Sequence, residues 1–253
     1  MKVRLSATLL FFSFLSFVNS DSFKGPYSYM NYEELYKFVR KLENRYPHLL
    51  RIESVHEKYN IPHQAGRCGP SPNDKCEILM LTISDFTYPR DEKTQVFLSG
   101  ELHGDERVGP HVCAYLTEFL LMQYGLSERA TDILRRREIV ITPISNAQGF
   151  YRNMRTERSY EGIEVDINRD FPYNQVNGAC LNSITARALI RIFAENLFVS
   201  AITFHGGEHS ITYPWGGENH YKNGHRIDCP DKSSFSTLAS VLQAQANGPS
   251  FIE

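Results

Sequence analysis

His103 and Glu106 stand three residues apart in GELHGDE, after the apolar run Thr94 to Leu98 and just before a helical pattern. That spacing lets both side chains face one centre across a tight turn. A catalytic zinc site takes three protein ligands and leaves a fourth position for water, so this pair supplies two of the three. The plain alternative is a capped, solvated turn, because two polar residues at this spacing are common where helices begin. His205 is the candidate for the third ligand. It ends the apolar run Val199 to Phe204, and Gly206 and Gly207 behind it let the backbone turn closely around a site. The competing reading is a loop histidine. His209 lies past that turn and reads as a surface residue.

Between these donors lies Asp166-Ile167-Asn168-Arg169, just ahead of Phe171-Pro172. A guanidinium fork beside an amide suits a planar carboxylate, because it can bind both oxygens. Asp166 can take the free ring N–H of a ligating histidine and fix its tautomer. Otherwise the segment is a surface Asp–Arg pair of little energetic consequence.

Taken in order, GELHGDERVG, NAQGFY, DINRDFPY and TFHGGEHSITYPWG resemble the zinc carboxypeptidases of the M14 kind, from about Tyr32 to the chain end. HGDERVG and the FHGG and YP elements lean toward the regulatory N/E-like branch or its protist relatives. The resemblance implies a three-layer α/β/α sandwich on a mixed, largely parallel sheet, with the last strands missing here. It implies a zinc-dependent enzyme that removes C-terminal residues from peptides or proteins, with one Zn2+ per chain. His103, Glu106 and His205 would hold the metal, Asp166 would support His103, and Asn168 with Arg169 would hold the substrate's terminal carboxylate. An arginine ahead of DINRD would polarise the scissile carbonyl. The shape of its segment favours Arg155, and the distance to Asn168 leaves Arg158 as the alternative.

In the family the general base, a glutamate, comes late, on a strand well beyond the third ligand, and a covering tyrosine also comes late. Nothing around Glu253 resembles that strand, so no general base is assigned, and the chain as given is expected to be a fragment with little turnover. Two other readings compete. One is a secreted zinc- or peptide-binding homologue without activity. The other is a zinc deacylase of the aspartoacylase type, which shares H-x-x-E and D-x-N-R. The stretch HGGEHSITYPWG and the leader described below speak against the deacylase.

The elements that must position these residues alternate between strand and helix. Tyr32 to Tyr46 carries Tyr32, Leu35, Phe38, Val39, Leu42 and Tyr46 on one helical face, with Asn31 and Glu34 as a capping box. Further helices are expected at 109–124, 184–197 and 233–246. Strands are expected at 49–55, 76–83, 94–98, 138–144 and 199–204, the last of a buried type. This order gives an α/β fold whose polar motifs fall at strand ends, where sites form in open sheets.

Residues 1–20 have a basic start, an apolar run from Ala7 to Val18 and a small-residue exit, which is the pattern of a cleaved signal peptide. Residues 21–253 then form one domain in the secretory pathway lumen or outside the cell. A net charge of -2 argues against nucleic acid or an anionic membrane as partner, so the expected partner is a peptide C-terminus and the expected state a monomer. Secretion gives the five cysteines meaning. Cys68 and Cys76 flank a short turn-rich loop suited to a disulfide. Cys180 with Cys229 is a second pairing, and Cys113 reads as a buried thiol.

Overall fold

The computed structural model describes residues 27–172, 180–208, 210–214, 220–245 and 251–252, so the leader lies outside the described residues. Residues 29–206 form one compact unit, and the described residues after 206 belong to a second.

The larger unit begins with α1 (Tyr32–Arg45), capped as its sequence demands. Asn31 Oδ1 accepts the Glu34 N–H at 3.0 Å and Glu34 Oε2 accepts the Asn31 N–H at 2.8 Å. Tyr32, Leu35, Val39 and Leu42 form its buried stripe. The order then runs β1 (Leu50–Ser54), α2 (Val55–Tyr59), β2 (Leu79–Ile83), β3 (Thr94–Ser99), α3 (Val108–Gln123), α4 (Glu128–Arg136), β4 (Arg137–Thr142), α5 (Ala147–Arg152), β5 (Glu157–Arg158), β6 (Glu164–Val165), α6 (Ile184–Glu195) and β7 (Phe198–Thr203).

One sheet, ordered β1-β2-β4-β3-β7, organises this unit. It is mixed: β1 with β2 and β2 with β4 are antiparallel, whereas β3 runs parallel to both β4 and β7. Every residue of β2 is buried, as is all of β3 and β4 after their first residue. Successive side chains point to opposite faces, so helices must cover both sides. α1, α3 and α4 pack together, and α2 packs against α6. The α/β class and the mixed sheet expected from the sequence are both found.

β7 differs from its expected buried character. Val199, Ala201 and Thr203 are exposed and their neighbours half-buried. Among the described residues β7 pairs only with β3. A strand at a sheet edge keeps one flank without a ladder partner, so an apolar sequence alone does not make it buried. Three helices escaped the sequence reading. α2 and α5 are short, and α4 is highly charged, with only Ala130, Ile133 and Leu134 buried.

The second unit holds a parallel pair, β8 (Ser210–Ile211) with β11 (Phe251–Ile252). It also holds the hairpin β9 (Tyr221–Lys222) with β10 (His225–Arg226), and α7 (Lys232–Gln245). Tyr213 stacks on Phe235 at 5.5 Å. No helix among the described residues is long and apolar enough to cross a membrane.

Cys68 and Cys76 are bonded, and Cys113 is a fully buried thiol. The pairing of Cys180 with Cys229 is not formed; both are free. Lying in polar loops made each available, but a disulfide also needs the two Cα atoms within about 7 Å, which loop composition does not supply. The bonded loop has a structural use. Cys76 makes an isolated bridge to Gln64, and Gln64 reaches the polar core described below. Closing so short a loop stabilises the fold by about 2–3 kcal/mol on chain-entropy grounds. Non-reducing peptide mapping should therefore recover a Cys68–Cys76 cross-linked peptide, and a Cys68→Ser, Cys76→Ser variant should lose about that stability in denaturant titration. Free alkylation of both thiols in the folded protein would contradict this.

Candidate metal centre

The centre is built where β4, β3 and β7 end side by side. Ser99 is in register with Thr142 on one side and Thr203 on the other. The chain leaving β3 is pulled against both neighbours: Gly100 N–H donates to Thr142 O at 2.9 Å, and Phe204 N–H to Ser99 O at 2.9 Å. The glycines of GELHGDERVG have a geometric reason. A Cβ on Gly104 would sit 2.0 Å from the Gly149 carbonyl carbon, and one on Gly109 would sit 1.8 Å from Gly100 O. The motif can pack this tightly only without side chains there.

His103, Glu106 and His205 meet at this end, with one donor atom each within 4.8 Å of the others. Glu106 bridges the pair. Its Oε1 lies 2.8 Å from His103 Nδ1, and its Oε2 lies 2.8 Å from His205 Nδ1 and 3.0 Å from Gly206 N. The two imidazoles stand 5.0 Å apart. On its far side His103 Nε2 is 3.1 Å from Asp166 Oδ1. In the tautomer that places the proton on Nε2, Asp166 accepts it and the Nδ1 lone pair faces the centre. Two neutral imidazole nitrogens and a carboxylate form a donor set that fits zinc. His103 is 3% exposed and the His205 side chain 37%, so the group opens on the His205 side.

Arg155 comes to the same place. Its Nη2 donates to Asp166 Oδ2 at 3.0 Å, and its Nη1 lies 3.5 Å from Glu106 Oε1. Arg158 does not: it ends β5 in the β5–β6 hairpin, its guanidinium beside Gly162. Asn168 and Arg169 form a one-turn 3-10 segment anchored by the buried Ile167, and both residues are exposed. Asn168 N–H donates to Asp166 Oδ1 at 2.9 Å, which ties this turn to the carboxylate that supports His103.

The zinc carboxypeptidase family model (peptidase M14) matches residues 35–248. The chain belongs to this family. Among its relatives, Carboxypeptidase SOL1 of Arabidopsis thaliana is 24% identical over 84% of the chain and 40% of its own length. Carboxypeptidase D of Anas platyrhynchos is 28% identical over 87% of the chain and 17% of its own length. The Carboxypeptidase N catalytic chain of Mus musculus is 24% identical, the match covering 90% of the chain and 55% of the relative. The match thus spans about half or less of these relatives. Crystal structures share the fold. Thrombin activatable fibrinolysis inhibitor superposes with a TM-score of 0.67 at 16% identity, over 95% of the chain and 64% of that protein. Carboxypeptidase A from Helicoverpa armigera gives 0.69 at 18% identity, over 89% and 57%.

Electrostatics separate the acids of this family centre by depth. Burial would raise Glu106, but hydrogen bonds from Gly206 and His205 and the charge of His103 outweigh it and hold its pKa below the usual value. Burial would likewise raise Asp166, but its hydrogen bonds to His103 and Arg155 and their charges outweigh it, so its pKa is also lowered. Glu101 lies a layer deeper. Burial pushes it up to about 8 despite the Asn146 N–H on its Oε1, and Oε2 has no hydrogen-bond partner among the described residues.

The sequence reading missed the polar core that carries these loops. Asn146 donates through Nδ2 to Leu102 O at 3.2 Å and to Arg155 O at 3.4 Å, so it couples the metal loop to the arginine segment. NAQGFY and the Asp170 of DINRDFPY were the only signals for it. Gln64 and Glu157 carried no motif.

A second cluster, His56, His63 and Glu77, also has donor atoms within 4.8 Å. Its chemistry differs. His56 Nε2 accepts the Ile78 N–H at 3.1 Å, and Nδ1 contacts Pro62 O at 2.9 Å, so both ring nitrogens are used by the backbone. Burial, more than the neighbouring charges, lowers the pKa of His56, as suits a neutral structural histidine. Metal analysis should accordingly find one zinc per chain, retained in His63→Ala and lost in His103→Ala, His205→Ala. Full zinc in the double variant would overturn the assignment.

Proposed function

We propose that the protein is a zinc-dependent carboxypeptidase that grips the free C-terminus of a peptide and hydrolyses its last bond. The observation that carries this reading is the convergence of Arg155 and the Asn168–Arg169 turn on one open His–Glu–His donor set, linked through Asp166. A zinc ion held by His103, Glu106 and His205 would polarise the scissile carbonyl and acidify a water. The remaining work falls to the side chains. Asp166 holds the His103 proton on Nε2 and keeps Nδ1 available. Arg155, exposed and already turned toward the centre, stabilises negative charge growing on the carbonyl oxygen. Asn168 and Arg169 take the terminal carboxylate and select a chain end over an internal peptide bond.

Hydrolysis also needs a group that takes the water's proton and returns it to the leaving amine, worth about 10²–10⁴-fold. Glu106 and Asp166 are committed to the histidines and to Arg155, and Glu101 is closed off from solvent. That engagement favours a second reading as well, a peptide-binding homologue without turnover. The bonded Cys68 and Cys76 support secretion, since such bonds persist in oxidising compartments.

The test uses zinc-loaded residues 21–253 and peptides ending in a basic or an apolar residue, each as free acid and as amide. Acids should bind about ten-fold or more tighter than amides, the equivalent of at least one charge-assisted contact. Arg169→Ala should erase that preference, and release of the terminal residue should be slow. Equal binding of acid and amide by the wild type would sink the carboxypeptidase reading. Rapid zinc-dependent release would show that an acid of this chain takes the water's proton, with Glu208 and Glu253 then to be tested beside these three, and would remove the binding-only reading.

A further inference from the structure

The N-terminus of α6 collects two buried carboxylates from two different loops. Glu157 is 1% exposed and lies two residues after Arg155; Asp170 is 2% exposed and directly follows Arg169. Glu157 Oε1 accepts the Ile184 N–H at 2.7 Å. Its Oε2 accepts the Thr185 N–H at 3.0 Å, the Thr185 hydroxyl at 2.7 Å and Gln64 Nε2 at 2.7 Å. Asp170 Oδ1 accepts the N–H and Nδ2 of Asn182 at 2.9 and 3.1 Å, and Oδ2 accepts the N–H and hydroxyl of Ser183, both at 2.7 Å. Leu181 N–H closes the turn onto Asp170 O at 2.7 Å. To bring these donors round, Leu181 holds φ at 58°. A leucine adopts that left-handed conformation only where its surroundings enforce it.

We infer that the N-terminus of α6 is a clamp for the substrate, with Glu157 and Asp170 as positioning residues that fix Arg155 and the Asn168–Arg169 turn relative to the metal ligands. The inference rests on the roles proposed above for those three residues. Its physical basis is the unsatisfied start of a helix. The first N–H groups have no partner within the helix and carry partial positive charge. Here Ser183 Oγ takes the Ala186 N–H, and Glu157 takes the two before it. Apolar side chains in these places would leave the buried N–H groups without acceptors, which is destabilising. Carboxylates satisfy them and also give direction. Each has four donors at fixed angles, so the loop carrying it has one permitted position. The other end of α6 leads into β7 and so to His205, which puts metal ligand and substrate contacts in one frame.

The two residues should leave different signatures. The probes are ketomethylene dipeptide analogues ending in Arg or Leu, as free acid and as amide; they keep the carbonyl and cannot be hydrolysed. In zinc-loaded protein, Asp170→Asn should shrink the acid-over-amide ratio about ten-fold while amide binding holds. Glu157→Gln should weaken acid and amide alike by about ten-fold and leave the ratio intact. Both should keep one zinc per chain. Where either variant does not fold, Asn182→Ala and Thr185→Val remove one donor each from Asp170 and Glu157 and should show the same two signatures at about three-fold. Folded variants with wild-type acid and amide affinities would overturn the clamp alone. A wild type that does not prefer the acid would overturn the clamp together with the reading beneath it.

Discussion

Two parallel strand pairings govern this molecule. Because β3 runs parallel to both β4 and β7, three adjacent strands finish at the same end of the sheet, in register at Thr142, Ser99 and Thr203. Each chain must turn away there without leaving buried backbone groups unpaired. Ser145 Oγ lies 2.7 Å from Thr142 Oγ1 and 2.8 Å from Ser99 Oγ, which closes the β4 and β3 ends together. Asn146 then reaches across to Leu102 O. Gly104 and Gly109 permit the backbone to cross so closely. His103, Glu106 and His205 converge because the loops that hold them have little other room.

Sequence showed His103, Glu106 and His205 more readily than the residues that support them. His103 and Glu106 stand three apart in the chain, and His205 follows an apolar run, so spacing and position were informative. Asp166 was legible through its neighbours Asn168 and Arg169. The choice between Arg155 and Arg158 was not, since both lie in one short segment; only the β5–β6 hairpin separates them, by carrying Arg158 toward Gly162. Gln64 bonds Glu157 and Thr185 across 93 and 121 residues, and no local pattern encodes a contact of that span. In the same way, Val199 to Phe204 reads as a core strand because its composition is apolar. Its burial depends instead on what pairs beyond it, a property of the sheet and not of the segment.

The acids at the centre show how depth alone separates chemical roles. Glu106 and Asp166 are partly exposed and meet histidine or arginine on each oxygen, so they stay charged. Glu101, two residues from His103, faces a single backbone N–H and is pushed up toward neutrality. A charged Glu101 would add a negative charge next to those of Glu106 and Asp105, only partly offset by Arg107. The burial of Glu101 avoids that added charge.

Under the proposed function the protein would have to hold two things at fixed separation, the metal-bound reactants and the terminal carboxylate of the substrate. Misplacement by about 1 Å can cost about 10²-fold in rate. Loops are poor rulers, because they are mobile and tolerate change. Here the ruler is α6, twelve residues whose Ala186, Ala188, Leu189 and Ile192 are buried. At its start it binds Glu157 and Asp170, and through them the segments of Arg155, Asn168 and Arg169. At its end it passes into β7, whose pairing with β3 fixes His205 against His103 and Glu106. On that reading, the distance from His103, Glu106 and His205 to Arg155, Asn168 and Arg169 is set by a helix and a strand pairing, the two stiffest devices available. The loops supply only the last few ångströms, which leaves them free to vary in what they recognise.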